Sequence, residues 1–412
     1  MARRRARYCN VVTRSLLASL VSGFLVIGVV ESSSSAANAA APLSLETFVF
    51  SSPEVGFGVF QGESQNGDSC TDYVGESADG GVHFDDLVRV TSWNCSKTSF
   101  DSLLSSDGHG DLFLYGTQLF VSHDDAKSWS KVLGMGSILD IDSIGRSIWM
   151  VRAACTPREV ARATTCPVGL VQSTNGGRTW RSLPGPLGAQ TEIAYTDLLQ
   201  TYLVRTSRDS AYLMVAPPNH FDGSPSVAPL WFTTNGGESW LDRQVPCHLG
   251  AWSTSFSVAP DGTLMTVCAT QPSAGMQSKT VLESTDGGRS WTLKSPQDAR
   301  NSDLDAGYLG SVDLLSKESA FLVGDRSSLL ETRDGGAVWR AVQPLIGSTA
   351  GGTSQIKFFN GSDGLVLGND DNNNERLTLW STVDGGAHWK VVIPKYDLPS
   401  NDDSVSKGSL SS

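Results

Sequence analysis

The chain has 412 residues, 39% of them hydrophobic and 18% charged, with 43 acidic against 31 basic side chains and a net charge of −12. That composition describes a globular body rather than a disordered one, and its acidity argues against nucleic acid and anionic lipid as partners. The 42 glycines and 11 tryptophans suit short strands joined by tight turns.

The first element is a targeting segment over residues 1–41. Arg3, Arg4, Arg5, Arg7 and Arg14 accompany an uncharged apolar stretch from Leu16 to Val30, and small residues follow through Ala41. Ala37 and Ala39 fit a signal-peptidase site. The apolar stretch falls short of the roughly 20 residues of a membrane span. The segment therefore reads as a signal peptide, with retention as an anchor the alternative. Either way the body is expected to be secreted or extracytoplasmic, without stable membrane insertion once the signal is removed. Cys9 leaves with it. The six remaining cysteines, an even number, suit the disulfides of an exported chain. Proximity in sequence favours Cys70–Cys95, Cys155–Cys166 and Cys247–Cys268.

An eight-residue pattern then recurs seven times, at spacings of 45 to 60 residues. It starts with Ser or Thr, has Asp or Asn two positions on, and ends on an aromatic residue. The acidic or amide positions are Asp79, Asp124, Asn175, Asn235, Asp286, Asp334 and Asp384. The aromatic positions are Phe84, Trp129, Trp180, Trp240, Trp291, Trp339 and Trp389. The Asp or Asn oxygen can accept hydrogen bonds from turn N–H groups, Gly-Gly supplies positive φ, and the aromatic ring offers a large area to bury. The second copy has Asp125-Ala126 in place of Gly-Gly, which puts its turn geometry in question. A period near 50 predicts four-stranded blades. In the sixth, Gly310–Leu315, Ser319–Gly324, Leu329–Thr332 and Trp339–Val342 read as strands a to d, with the repeat as the c–d turn. The fold class expected is all-β, a seven-bladed β-propeller over residues 42–395, followed by a disordered polar tail over 396–412. Every blade is complete in sequence order, so no exchange strand is expected to close the ring.

This pattern resembles the Asp box, or BNR repeat, of sialidases, sortilin-type receptors, some glucan hydrolases and photosystem II stability/assembly factors. The resemblance implies the propeller. Sialidases carry an Arg-Ile-Pro motif before the first box. Here there is no such motif, and after residue 41 no arginine precedes Arg89. The stretch Phe321–Gly336 is closest in texture to the assembly factors, which are exported, seven-bladed and non-catalytic. Their arginine patch is not evident in this acidic chain, so what carries over is the binding-module character.

In such a blade the short a–b and c–d turns share one face, and the b–c and d–a loops share the other. The long loops, and all six cysteines, map to the second face. Long loops on a rigid scaffold are where binding residues concentrate. Arg152, Arg205 and Arg326 are placed at or just past the ends of strands b. Asp142, Asp313, Tyr195 and Tyr308 are placed on or beside the inner a strands, and Trp252 on the loop face. Together they form the candidate ligand-binding set; no catalytic residue is assigned. No metal site and no cofactor are expected, and a monomer is. The function expected is binding of a protein or glycan through the long-loop face. The alternative is a glycoside hydrolase, since 43 carboxylates leave room for an acid/base pair.

Overall fold

A computed structural model describes residues 43–64, 67–95, 102–153, 166–186, 192–193, 201–215, 225–295, 303–347, 352–369 and 377–398. The expected signal segment, Cys155, Tyr195 and residues 399–412 lie outside these. Among the described residues every regular element is a strand, and they form seven four-stranded antiparallel blades. Blade one is Ser44–Phe50, Gly56–Glu63, Cys70–Ser77 and His83–Trp93, in the order a to d. Blade six is Tyr308–Leu314, Ala320–Asp325, Leu330–Thr332 and Arg340–Ala341, within two residues of the sequence expectation.

The core is divided among the seams. Seven apolar clusters each join residues of two neighbouring blades. Between blades six and seven, for example, Phe321 and Val323 meet Phe358, Val366 and Trp389, and Phe321 stacks on Phe358 at 4.8 Å. The box aromatics belong to these seams. Trp180 meets Phe113 of the preceding blade edge-on at 6.4 Å centroid distance, and Trp240 on Trp149 and Trp389 on Phe321 lie at 6.2 Å.

Each box makes the same three bonds. In the first, the Ser77 hydroxyl donates to Asp79, the Gly81 N–H donates to the Ser77 hydroxyl, and the His83 N–H donates to Asp79 Oδ1. The other six repeat this set at equivalent positions. These bonds favour the ionised acid, so Ser290 and His388 hold Asp286 and Asp384 below the usual carboxylate range. The second glycine lies at positive φ and against the preceding blade. A Cβ on Gly386 would come within 2.6 Å of Phe321. Box two reaches the same turn without glycine: Asp125 and Ala126 adopt φ of 57° and 64°. Ala126 is buried in the seam between blades one and two, in one apolar cluster with Val59 and Val74.

Ring closure departs from expectation. Each blade is sequence-contiguous, but Lys395–Tyr396 adds a fifth, parallel strand to the outer edge of blade one. The Lys395 N–H donates to Val82 O, Leu87 N–H to Asp397 O, and Leu43 N–H to the Tyr396 hydroxyl. Residues 396–398 therefore belong to the propeller rather than to a disordered tail. The outer strand of a blade has a free edge of backbone donors and acceptors, and Lys395–Tyr396 occupies it.

Candidate functional site

The inner strands come first, because they decide what lines the axis. An inner strand also has one unpaired edge, whose N–H groups need acceptors. Side chains of the preceding blade supply them. Asp140 accepts from Leu203 N–H at 2.8 Å and Asp142 from Arg205 N–H at 2.7 Å. Ser255 and Ser257 accept from Val312 and Leu314 N–H, Asp313 from Phe358 N–H, and Gln355 from Phe48 N–H. Desolvation pushes Asp142 up to about 6 and also raises Asp313, against the pull of these donors. Asp142 and Asp313, expected as ligand-binding groups, thus staple neighbouring blades.

Arg205 also sits elsewhere than expected. It ends strand a of blade four, Tyr202–Arg205, rather than a strand b. That puts it at the a–b turn on the Asp-box face. It is buried at 7% exposure, donates to Ser147 O, Ser147 Oγ and Arg208 O, and lies 4.8 Å over the Trp149 ring. Its role is to join the turns of blades three and four. The long connection in blade four follows Val215, after strand b, and carries a strand, Ser226–Ala228, paired with Val245–Cys247.

The remaining expected residues do lie on the long-loop face. Arg152, near the end of strand b in blade three, donates to the carbonyls of Gly134 and Met135 at 3.2 and 3.3 Å. It ties the loop that leaves blade two. In blade six the exposed Arg326, at φ 56°, covers the Tyr308 ring at 5.5 Å. Trp252 is half-buried at the entry to blade five. The structure brings Arg326 and Tyr308 together. Tyr195 lies outside the described residues.

Two disulfides hold this face. Cys70–Cys95 closes the open end of blade one, and Cys247–Cys268 ties the loop between blades four and five to strand b of blade five. Beside the first is an open pocket of about 310 Å³ lined by Asp68, Ser69, Ser92, Trp93 and Asn94. At the blade one–two seam Asp72 is fully buried, bonded by the Ser102 hydroxyl and by Gln61 at 3.3 Å. Desolvation pushes its carboxyl up to about 7; Ser102 and Gln61 oppose this, and Glu46 adds to it.

A further anchor was missed in the sequence. Lys279 is 2% exposed at the start of strand c in blade five. Its ammonium donates to the carbonyls of Gln277, Leu304, Ala306 and Gly307 at 2.9 to 3.1 Å. Its own N–H donates to Asp305. Desolvation lowers the amine to about 8, opposed by Asp305. Beside it, buried Gln277 bonds Ser253, Thr270 O and Leu309 N–H. Lys279 is a lysine heading a strand of six buried residues; that burial is the only signal, and it is invisible until the blade is placed.

The repeat, the seven seams and the ring make this chain an Asp-box seven-bladed β-propeller. Within that class, residues 305–408, which span blades six and seven and the closing strand, match the family profile of the photosynthesis system II assembly factor YCF48. Among solved structures, YCF48 bound to D1 peptide is 17% identical, over 84% of this chain and 95% of that one, with a TM-score of 0.49. YCF48 from Cyanidioschyzon merolae is 14% identical over 71% and 86%, with a TM-score of 0.44. An acylaminoacyl peptidase from Pyrococcus horikoshii is 9% identical over 85% of this chain and 52% of that one, with a TM-score of 0.50. At these identities the likeness concerns the fold alone. No curated protein sequence matches the chain.

Proposed function

We propose that the chain is an extracytoplasmic, non-catalytic propeller that binds a protein segment through its long-loop face. The observation that carries this reading is the anchoring of that face. Two disulfides, Arg152 and buried Lys279 fix loops around several blades, and preorganised loops lose less freedom on binding. Leu133, Val227, Met276 and Leu345 are exposed there, which suits a polypeptide better than a sugar. The match of residues 305–408 to an assembly-factor profile favours the same partner class. The axial carboxylates Asp140, Asp142 and Asp313 are engaged with backbone N–H groups, which favours a binder over a hydrolase.

A peptide array that includes D1 peptide, beside a fluorogenic glycoside panel, tests the reading. Arg152→Glu with Arg326→Glu is expected to weaken peptide binding at least tenfold. Lys127→Glu with Arg289→Glu, on box turns, is expected to leave it unchanged. Turnover of any glycoside sinks the non-catalytic reading. Binding lost only in the box-turn variant sinks the assignment of the face.

A further inference from the structure

On the Asp-box face, the seam between blades two and three ends in a buried pair of acids. The turn between strands Leu103–Ser106 and Leu112–Tyr115 of blade two holds two carboxyl groups, Asp107 and Asp111. The corresponding turn of every other blade holds one or none. Asp107 is 5% and Asp111 1% exposed. Asp107 Oδ1 accepts the His109 N–H at 2.7 Å and the Asp111 N–H at 3.1 Å. These two bonds fold the turn and bring the two carboxyl groups within hydrogen-bond reach.

Asp111 is spent on the seam. His123 Nδ1, from box two, lies 2.8 Å from its Oδ1, and Arg178 Nη1, from box three, lies 3.3 Å from its Oδ2. Gly176, the first glycine of box three, packs so closely that a Cβ there would run into the same Oδ2. Asp107 Oδ2 differs: it is buried, and among the described residues no donor reaches it. An ionised carboxylate left that way is strongly disfavoured. A carboxylic acid is not, because its O–H can donate to Asp111. Burial raises the Asp107 carboxyl above its ordinary range, against the two N–H donors, and neighbouring Asp111 raises it further.

The other charged groups around the pair have their own places. His109 bonds Asp107 O and lies against Gly145 of blade three. In box two, Asp124 is held by Ser122 and Ser128 with Lys127 beside it, and Asp125 lies against Gly110. From blade three, Arg146 O accepts the Gly176 N–H at 3.1 Å.

We propose that Asp107 and Asp111 share one proton, and that this proton makes the box-face end of the seam between blades two and three a pH-sensitive fastening. With the proton in place, the pair carries one negative charge, and His123 and Arg178 face it. Without it, two adjacent buried carboxylates repel, and displacement of Asp111 releases Arg178 and Gly176. The folded protein holds the proton more tightly than the unfolded chain does. The fastening is therefore complete at acid pH and is lost as pH rises through the raised value. A neutral His123 can keep an N–H toward Asp111, so the contact that needs the proton is the one between the carboxyls.

Carboxyl 13C shifts of Asp107 and Asp111 can be followed in the wild type from about pH 3 to about pH 8. They are expected to show one proton retained by the pair above the ordinary value of 3.8. Hydrogen exchange at the Gly176 amide, corrected for its intrinsic pH dependence, should lose at least about tenfold in protection over the same rise. The Gly236 amide, at the same position in box four and bonded to Asp209 O, should not change. Asp107→Asn keeps Oδ1 and replaces the proton by a fixed amide donor. Its Gly176 protection should stay within about twofold from acid to alkaline pH. Both carboxyls titrating at or below 3.8 overturns the proposal, and that result needs no variant. So does a wild-type fall in protection that persists in Asp107→Asn, which would place the titrating group at His123.

Discussion

On the Asp-box face the same three hydrogen bonds recur in all seven blades, whereas on the opposite face the described fastenings are two disulfides, an arginine and a buried lysine, each at its own place in the ring. Blade one is closed by Cys70–Cys95, the loop between blades two and three by Arg152, and the loop between four and five by Cys247–Cys268. The loop between five and six is closed by Lys279. A repeated bond set makes a repeated shape, which is what a ring needs from its turns. Single fastenings allow loops of unequal length to be held in unequal positions, which is what recognition of one partner needs. The contrast therefore separates the part of the sequence that makes a propeller from the part that makes this propeller.

Lys279→Met tests the loop face most severely. It strips three buried carbonyls and one part-buried carbonyl of this donor, at about 1 kcal/mol or more for each buried one, so a loss of about 3 kcal/mol or more is expected in urea unfolding. A loss under about 1 kcal/mol would mean that water can replace the ammonium, and that the loop is not held by it.

Next in size is a pH effect at Asp72. Its carboxyl is raised to about 7 from an ordinary 3.8. The stability it contributes is therefore complete below about pH 4 and is lost as pH rises through 7. Between pH 5 and 8 this amounts to about 2–3 kcal/mol. Asp72→Asn, measured beside the wild type at both pH values, should shrink the difference by that amount. An unchanged difference would place the titrating group elsewhere.

The box face should answer differently. Ser284→Ala and Thr332→Ala each remove one hydroxyl that both donates to the box acid and accepts from the second glycine. Each should cost about 1–2 kcal/mol, and the two costs should agree within about 0.5 kcal/mol. Costs that differ severalfold would break the idea of interchangeable turns. The smallest effect is a gain. Asp125→Gly frees an exposed residue from positive φ and should raise stability by about 0.5 kcal/mol.

What the sequence made legible follows the same division. The seven boxes gave the blade count and the c–d turns, because each carries the hydroxyl, acceptor, glycine and aromatic that its turn uses. Box two kept that geometry after losing both glycines, since Asp125 and Ala126 are small enough for the left-handed region at a modest cost. Two disulfides could be paired because both bridges stay local, joining cysteines 25 and 21 residues apart. Arg205 was misplaced for a specific reason. Strands a and b have similar apolar patterns, so only counting back from a box tells them apart. The insertion after Val215 in blade four moved that count by one strand. Asp142 and Asp313 were read as lining a funnel, whereas the free edge of the next inner strand had first claim on them. Lys279 gave no local signal, because most of its partners lie 25 to 28 residues on, in the loop to blade six, and meet it only once blades five and six are packed together.

The closing strand follows every blade in the chain, and this gives assembly a direction. A polypeptide emerging N-terminus first can pair the strands of blade one at once, but that blade's outer edge stays bare until Lys395–Asp397 arrive. The first blade made is therefore the last to be sealed, and the seam between blades seven and one is where a nascent copy remains open to chaperones, proteases or a neighbouring strand. A copy interrupted just before Lys395 would carry all seven box turns and still lack its latch, so the integrity of the whole ring is reported by the two paired residues Lys395 and Tyr396.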